Sequence, residues 1–282
     1  MHFTKMHGIG NDYVYVDGSK FRPADPAAAA RQVSDRHCGI GSDGLILINP
    51  SAKADFEMEM YNADGSRGRM CGNGIRCVGK YVYDHGLTDR RHLKIETLAG
   101  IRTLELFTGA DGLVGSVRVD MGQPELRPSE IPALFPGDMV RAHPFSIGGR
   151  DWEITCVSMG NPHCVVFLRE DVRQFPLEKY GPLFENADVF PDRINTEFIN
   201  VTDRNHLRMR VWERGSGETM ACGTGACAAA VAAILNGYTE RAVTVSLLGG
   251  DLEIEWSEGD GCVFMTGPAA EVFEGDINVQ SK

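Results

Sequence analysis

"NADGSRGRMCGNGIRC", residues 62–77, decides how this chain is read. It sets Cys71 between a loop of small polar residues and what reads as the start of a helix. The arrangement returns at "ERGSGETMACGTGAC", residues 213–227. Laying Cys71 over Cys222, an offset of 151, also lays Gly72 over Gly223, Gly74 over Gly225, Gly86 over Gly237, Thr88 over Thr239 and Arg90 over Arg241. "GNDYVYVD" from Gly10 resembles "GNPHCVVF" from Gly160, and "LAG" at 98–100 resembles "LGG" at 248–250, both at an offset of 150. Several matches in one order point to two halves of one ancestral unit related by an approximate twofold axis.

Each half carries the same signals in the same order. A Gly-Asn turn leads into an alternating strand, "YVYVD" or "CVVFL". A second strand ends before the cysteine. The spacing then predicts helices over 75–85 and 226–236, closed by Gly86 and Gly237. "LKIET" and "TLELF" follow as strands in the first half, "AVTVSLL" and "DLEIEW" in the second. The predicted class is α/β in the α+β sense: two pseudo-symmetric domains, each a curved, mostly antiparallel sheet or barrel around a central helix. The Pro/Gly-rich stretch at 122–138 reads as the linker.

The whole chain narrows the function. Its 282 residues, 43% hydrophobic and 24% charged, suit one large or two ordinary globular domains. A net charge of −11 argues against nucleic acid and against anionic membranes as partners. The start, "MHFTKMHGIGND", has no apolar signal core, and no run approaches the roughly 18 apolar residues of a membrane span. A cytoplasmic location is expected. The eight cysteines include no C-x-x-C pair, so neither a zinc ribbon nor a thioredoxin-like site is read and no metal is expected. Reduced thiols, most of them small buried hydrophobes, are the expectation.

Cys71 and Cys222 are the exceptions. Each stands at a helix N-terminus, where unpaired N–H groups and the helix dipole favour an anion, so a lowered thiol pKa is expected. The glycines that follow leave backbone N–H groups open to a ligand. Cys77 and Cys227, six and five residues on, face away and read as core. Two thiols approaching one carbon from opposite faces could invert a stereocentre, one removing the α-proton and the other delivering a proton. Helix N-termini aimed at the α-carboxylate would stabilise the developing charge, so no electron-sink cofactor is required. Where the halves differ, Glu213 and Arg214 stand over Asn62 and Ala63. A one-sided charged pair fits a substrate with a second, distal polar end, Arg214 suiting a carboxylate and Glu213 an ammonium group or a thiol that needs tuning. His163 is a further candidate tuner. "GIGSDG" at 39–44 matches a nucleotide-binding pattern but follows a helical segment and precedes a strand, the reverse of the required order, and is set aside.

"GNDYVYVD", "NADGSRGRMCGNGIRC", "MGNPHCVVF", "NTEFINV" and "ERGSGETMACGTGA" together resemble the signature segments of diaminopimelate epimerases, over nearly the whole chain. The resemblance implies interconversion of LL- and meso-2,6-diaminopimelate without a cofactor, in lysine and cell-wall precursor synthesis. It implies Cys71 and Cys222 as base and acid. It implies backbone N–H contacts to the reacting end from Gly72, Asn73, Gly223 and Thr224, and a distal end held by Asn62, Asn161, Asn195 and Arg214. Asn11 matches a further ligand contact, Glu213 counts among the substrate-site residues, and Glu213 and His163 match positions that influence the cysteines. The C-terminal strand is implied to return to the first domain, giving 1–118 plus 263–282 and 119–262 as the expected domains. One position departs: Gly44 stands where some members carry a glutamine. Two other readings remain open here, a proline- or hydroxyproline-type racemase and a redox sensor built on the two thiols. The oligomeric state, a homodimer among the options, is left open.

Overall fold

The structure, a computed structural model, describes residues 1–279. It divides into two compact units, Met1–Val119 together with the chain from Thr266 onward, and Asp120–Met265.

In the first unit, β1 (His2–Gly8) and β2 (Asn11–Asp17) form an antiparallel hairpin. Helix α1 (Pro26–Ser34) starts on Asp25, whose carboxylate caps Ala28 N–H at 3.0 Å, with Pro26 in the first turn. β3 (Gly44–Asn49) runs parallel to β2, β4 (Phe56–Asn62) antiparallel to β3, and the two-residue β5 (Arg67–Gly68) folds back on β4. After helix α2 (Gly72–Asp84), β6 (His92–Thr97) lies parallel to β4, and β7 (Gly100–Thr108) and β8 (Val114–Gly122) follow antiparallel. All six residues of β3 are buried, which explains its unbroken apolar run, with α1 packed against it.

The second unit repeats this plan. β9 (His143–Ile147) borders β10 (Arg150–Ser158), which pairs antiparallel with β11 (Pro162–Phe167). Helix α3 (Leu177–Glu185) intervenes, then β12 (Asn195–Asp203) runs parallel to β11 and β13 (His206–Glu213) antiparallel to β12. The short β14 (Gly217–Glu218), helix α4 (Gly223–Leu235), β15 (Ala242–Leu247, parallel to β13) and β16 (Gly250–Trp256) complete the series. The chain returns along β17 (Val263–Pro268), and β18 (Ala270–Asp276) pairs antiparallel with β1 as β9 does with β10. Each unit is thus a mostly antiparallel sheet with two parallel joints at matching places. Helix α4, "GTGACAAAVAAIL", has no polar face and meets β10 to β13, β15 and β16, so it is the centre of its unit. Its alanines let the strands close in.

Both central helices end alike. Gly86 and Gly237 take left-handed φ of 70° and 73°. Gly86 N–H bonds Tyr83 O and Leu87 N–H bonds Val82 O; Gly237 and Tyr238 do the same to Ile234 and Ala233. Both helices begin three residues earlier than the spacing predicts, because the cysteines themselves are the caps. The 122–138 stretch is not a free linker: Ile131 and Ala133 are buried in the core of the second unit, and the crossing falls inside β8, between Val119 and Asp120. Helix α3 escapes the sequence reading because Gly181 and Pro182 look like a break; the Trp212 indole packs where a Gly181 side chain would stand. Among the described residues no helix is long and apolar enough to cross a membrane.

Candidate active site

Cys71 and Cys222 are the N-cap residues of α2 and α4. Each sulfur accepts the N–H two helical residues past the first, Gly74 at 3.3 Å and Gly225 at 3.4 Å. Ile75 and Ala226 N–H then bond the cysteine carbonyls, so the amides of Gly72, Asn73, Gly223 and Thr224 precede the first rung of each helix. A methyl at Gly225 would lie 2.6 Å from Glu197 Oε1 and 3.1 Å from Cys222 Sγ, so the close approach requires glycine.

In the first unit the structure brings Asn11 to Cys71. The thiol donates to Asn11 Oδ1 at 3.2 Å, and Asn11 Nδ2 donates to Asp43 Oδ2 at 2.7 Å. Asp43 in turn takes an ion pair from Arg36, which also holds Asp12. Asn73 turns inward, its Oδ1 accepting from Arg76 at 3.0 Å. Asn62, at the end of β4, donates to Ser66 Oγ at 3.0 Å and sits opposite Gly44 in the strand register. A side chain at Gly44 would strike Tyr61 O at 2.1 Å, so none fits there.

The second unit gathers more titratable groups. Cys222 is 5% exposed, and burial pushes its thiol well above the usual range, with the Glu213 and Glu197 carboxyls adding to the rise. The Thr224 hydroxyl, 3.6 Å from the sulfur, and Gly225 N–H act the other way and are outweighed. This corrects the expectation of a lowered pKa: the helix end is present, but desolvation of the thiolate is larger. Burial also raises the Glu213 carboxyl, which bonds the Thr219 hydroxyl and Cys222. Asn195 donates to Pro162 O at 2.8 Å and accepts Arg214 N–H at 2.9 Å, so it braces the Arg214 backbone. The guanidinium of Arg214 donates to Asp192 O at 2.8 Å. Glu185 of α3 accepts Gly215 N–H at 2.8 Å and steadies the same turn. His163 is fully buried, Nδ1 facing Glu197 Oε1 at 2.7 Å and Nε2 facing Asn161 Oδ1 at 3.1 Å. Cys77 and Cys227 are fully buried core residues, as their spacing implies. In "GIGSDG", Ile40 and Gly41 N–H cap the carbonyl of Val33 at the end of α1.

Asp43 and Glu197 went unread in the sequence. Each reaches its partner across a parallel strand pair some thirty residues away, and no local pattern marks such a contact.

The fold is a two-domain α/β fold shared with solved structures of other names. It matches a Bacillus anthracis phenazine biosynthesis protein of the PhzF family with a TM-score of 0.71 at 18% identity, covering 99% of each chain. It matches an Agrobacterium vitis hydroxyproline epimerase with a TM-score of 0.69 at 15% identity, covering 98% of this chain and 90% of that one. Sequence narrows this further: the chain belongs to the diaminopimelate epimerase family, whose model matches residues 3–127 and 155–272. It is 57% identical over 279 residues to the diaminopimelate epimerase of Acetivibrio thermocellus, 99% of each chain. It is 55% identical to that of Methanococcus maripaludis, over 99% of this chain and all of the relative.

Proposed function

We propose that this chain interconverts LL- and meso-2,6-diaminopimelate without a cofactor, with Cys71 and Cys222 as its two acid–base groups. The observation that carries this is a thiol at the N-cap of the central helix in both of two topologically identical units. One thiolate takes the α-proton and becomes a thiol; the other thiol gives its proton to the opposite face and becomes a thiolate. Bonds and charge balance within the pair, and the first-turn amides of each helix meet the charge that builds on the α-carboxylate. Cys222, held protonated by burial, stands ready as acid, and Glu213 is the group placed to take and return its proton. Arg214, Asn62, Asn161 and Asn195 bind the distal amino-acid end, and Asn11, bonded to the Cys71 thiol, is a further substrate contact. Thiol chemistry of this kind needs a reducing compartment, which fits a cytoplasmic enzyme.

The test is incubation with LL-diaminopimelate in deuterated water. The first meso product should carry deuterium at the inverted carbon while the unreacted pool carries little. Cys71→Ala and Cys222→Ala should each abolish inversion. Early product that keeps the substrate's own α-hydrogen, or a near-normal Cys222→Ala variant, would overturn the assignment.

A further inference from the structure

A buried pair behind Asn161 takes no proton from substrate in the chemistry above, though its carboxyl adds to the rise of the Cys222 thiol. Glu197 and His163 are both 0% exposed and lie on the adjacent parallel strands β12 and β11. Both ring nitrogens face oxygens, Nδ1 the carboxyl of Glu197 and Nε2 the Oδ1 of Asn161. Two hydrogens satisfy these contacts: one on Nε2, and one shared between Nδ1 and the carboxyl. Glu197 Oε2 is buried without a hydrogen-bond partner among the described residues, and such a group calls for a reason. Packing does not supply one. The first unit has Ile46 in the same place: a methyl at Gly74 would meet Ile46 Cδ1 at 2.9 Å, as one at Gly225 meets Glu197 Oε1. An apolar side chain therefore completes this fold at that position.

We propose that Glu197 is a positioning residue: it fixes the His163 ring through Nδ1, Nε2 then holds Asn161 by its oxygen, and the Asn161 amide hydrogens are left as donors for a substrate carboxylate. Among the described residues Asn161 Nδ2 donates to nothing, in keeping with that role. The charged and titratable groups around the pair include Glu213 on β13, Cys222 at the start of α4 and Cys164 beside His163 on β11. Without a hydrogen-bonding partner at Nδ1 the ring can take the other tautomer or turn, and Asn161 can then flip its amide. The proposal rests on Asn161 being a ligand of the distal amino-acid end.

Three single variants and one double variant test it. Glu197→Gln keeps a partner at Nδ1, its amide N–H donating to the bare ring nitrogen, and should leave KM for diaminopimelate within about threefold of the parent. Glu197→Ile, which copies the first unit, should raise KM about tenfold, the loss of one well-placed hydrogen bond, with kcat moved far less. Asn161→Ala should raise KM by itself, and adding Glu197→Ile to it should change little more. Nitrogen-15 spectra of the ligand-free protein should show hydrogen on His163 Nε2 in the parent and a changed ring in Glu197→Ile. An unchanged KM and unchanged ring signals in Glu197→Ile would overturn the proposal, as would full additivity with Asn161→Ala. Should Glu197→Ile fail to fold, Glu197→Asp, one methylene too short to reach Nδ1, replaces it with the same expected KM rise. The ring spectra need no substrate, so they report on Glu197 even if the parent protein leaves diaminopimelate unchanged, a result that would count against the substrate assignment alone.

Discussion

Cys222 shows how far a residue's chemistry depends on what surrounds it. Its place at a helix N-terminus argues for a thiolate, and Gly225 N–H does point at its sulfur. Yet the thiol is 5% exposed and has two carboxyls nearby, Glu213 and Glu197, so the neutral form wins. The expected outcome is that Cys222 reacts sluggishly with iodoacetamide at pH 7 and keeps gaining rate beyond pH 9, since only the thiolate attacks. Peptide mapping separates it from the exposed Cys38. A half-maximal rate below pH 8 would contradict the dominance of burial. Cys222, Arg214 and the asparagines could be proposed from the sequence because short motifs carry them. The Asp43–Asn11 and Glu197–His163 contacts were not, because a parallel strand pair brings together residues more than thirty positions apart.

Among the elements, α2 and α4 illustrate one plan carried out with different material. Both have a cysteine N-cap, a C-G-x-G start and the same glycine-closed end, all readable as local grammar. Their surroundings differ: under Gly74 lie Ile46 Cδ1 and Met58 Cε, the mobile ends of apolar side chains, and under Gly225 lies the carboxyl of Glu197. Gly74→Ala should therefore be tolerated, its overpacking partly offset by the gain of about 1 kcal/mol in helix propensity. Gly225→Ala should cost more, about 1–3 kcal/mol, because the new methyl must displace a buried, hydrogen-bonded carboxyl and crowd the sulfur. Urea unfolding of the two variants compares them directly, and equal losses would mean that the Glu197 contact is soft. Helix α3 marks the limit of such grammar: Gly181 and Pro182 argue against a helix, and the Trp212 indole seated on Gly181 decides for one.

At the scale of the molecule, several buried acids hold their protons more tightly than an unfolded chain would. Cys77 is pushed up from 9.0 to about 11, and Tyr15, Cys164 and Cys222 also stand well above their usual ranges, each first because of burial. A raised acid adds stability that is fully present below the unfolded pKa and is lost as pH rises through the folded one. Stability should thus fall between about pH 9 and pH 11, with Cys77 alone contributing about 2–3 kcal/mol for its gap of about two pH units. Urea midpoints across that range should decline less steeply in Cys77→Ala than in the parent; identical slopes would remove Cys77 from the account. By itself the sequence determined the duplicated plan, the glycine-closed ends of the central helices, and a set of candidate site residues. These follow from spacing, turn-forming glycines and capping, which act over a few residues. Only the tertiary structure decided that 122–138 packs into the second unit, that Asn195 braces Arg214, and that the Cys222 thiol is protonated rather than poised as a thiolate. Burial and cross-strand neighbours set those outcomes, and both come into being only when distant segments fold onto one another.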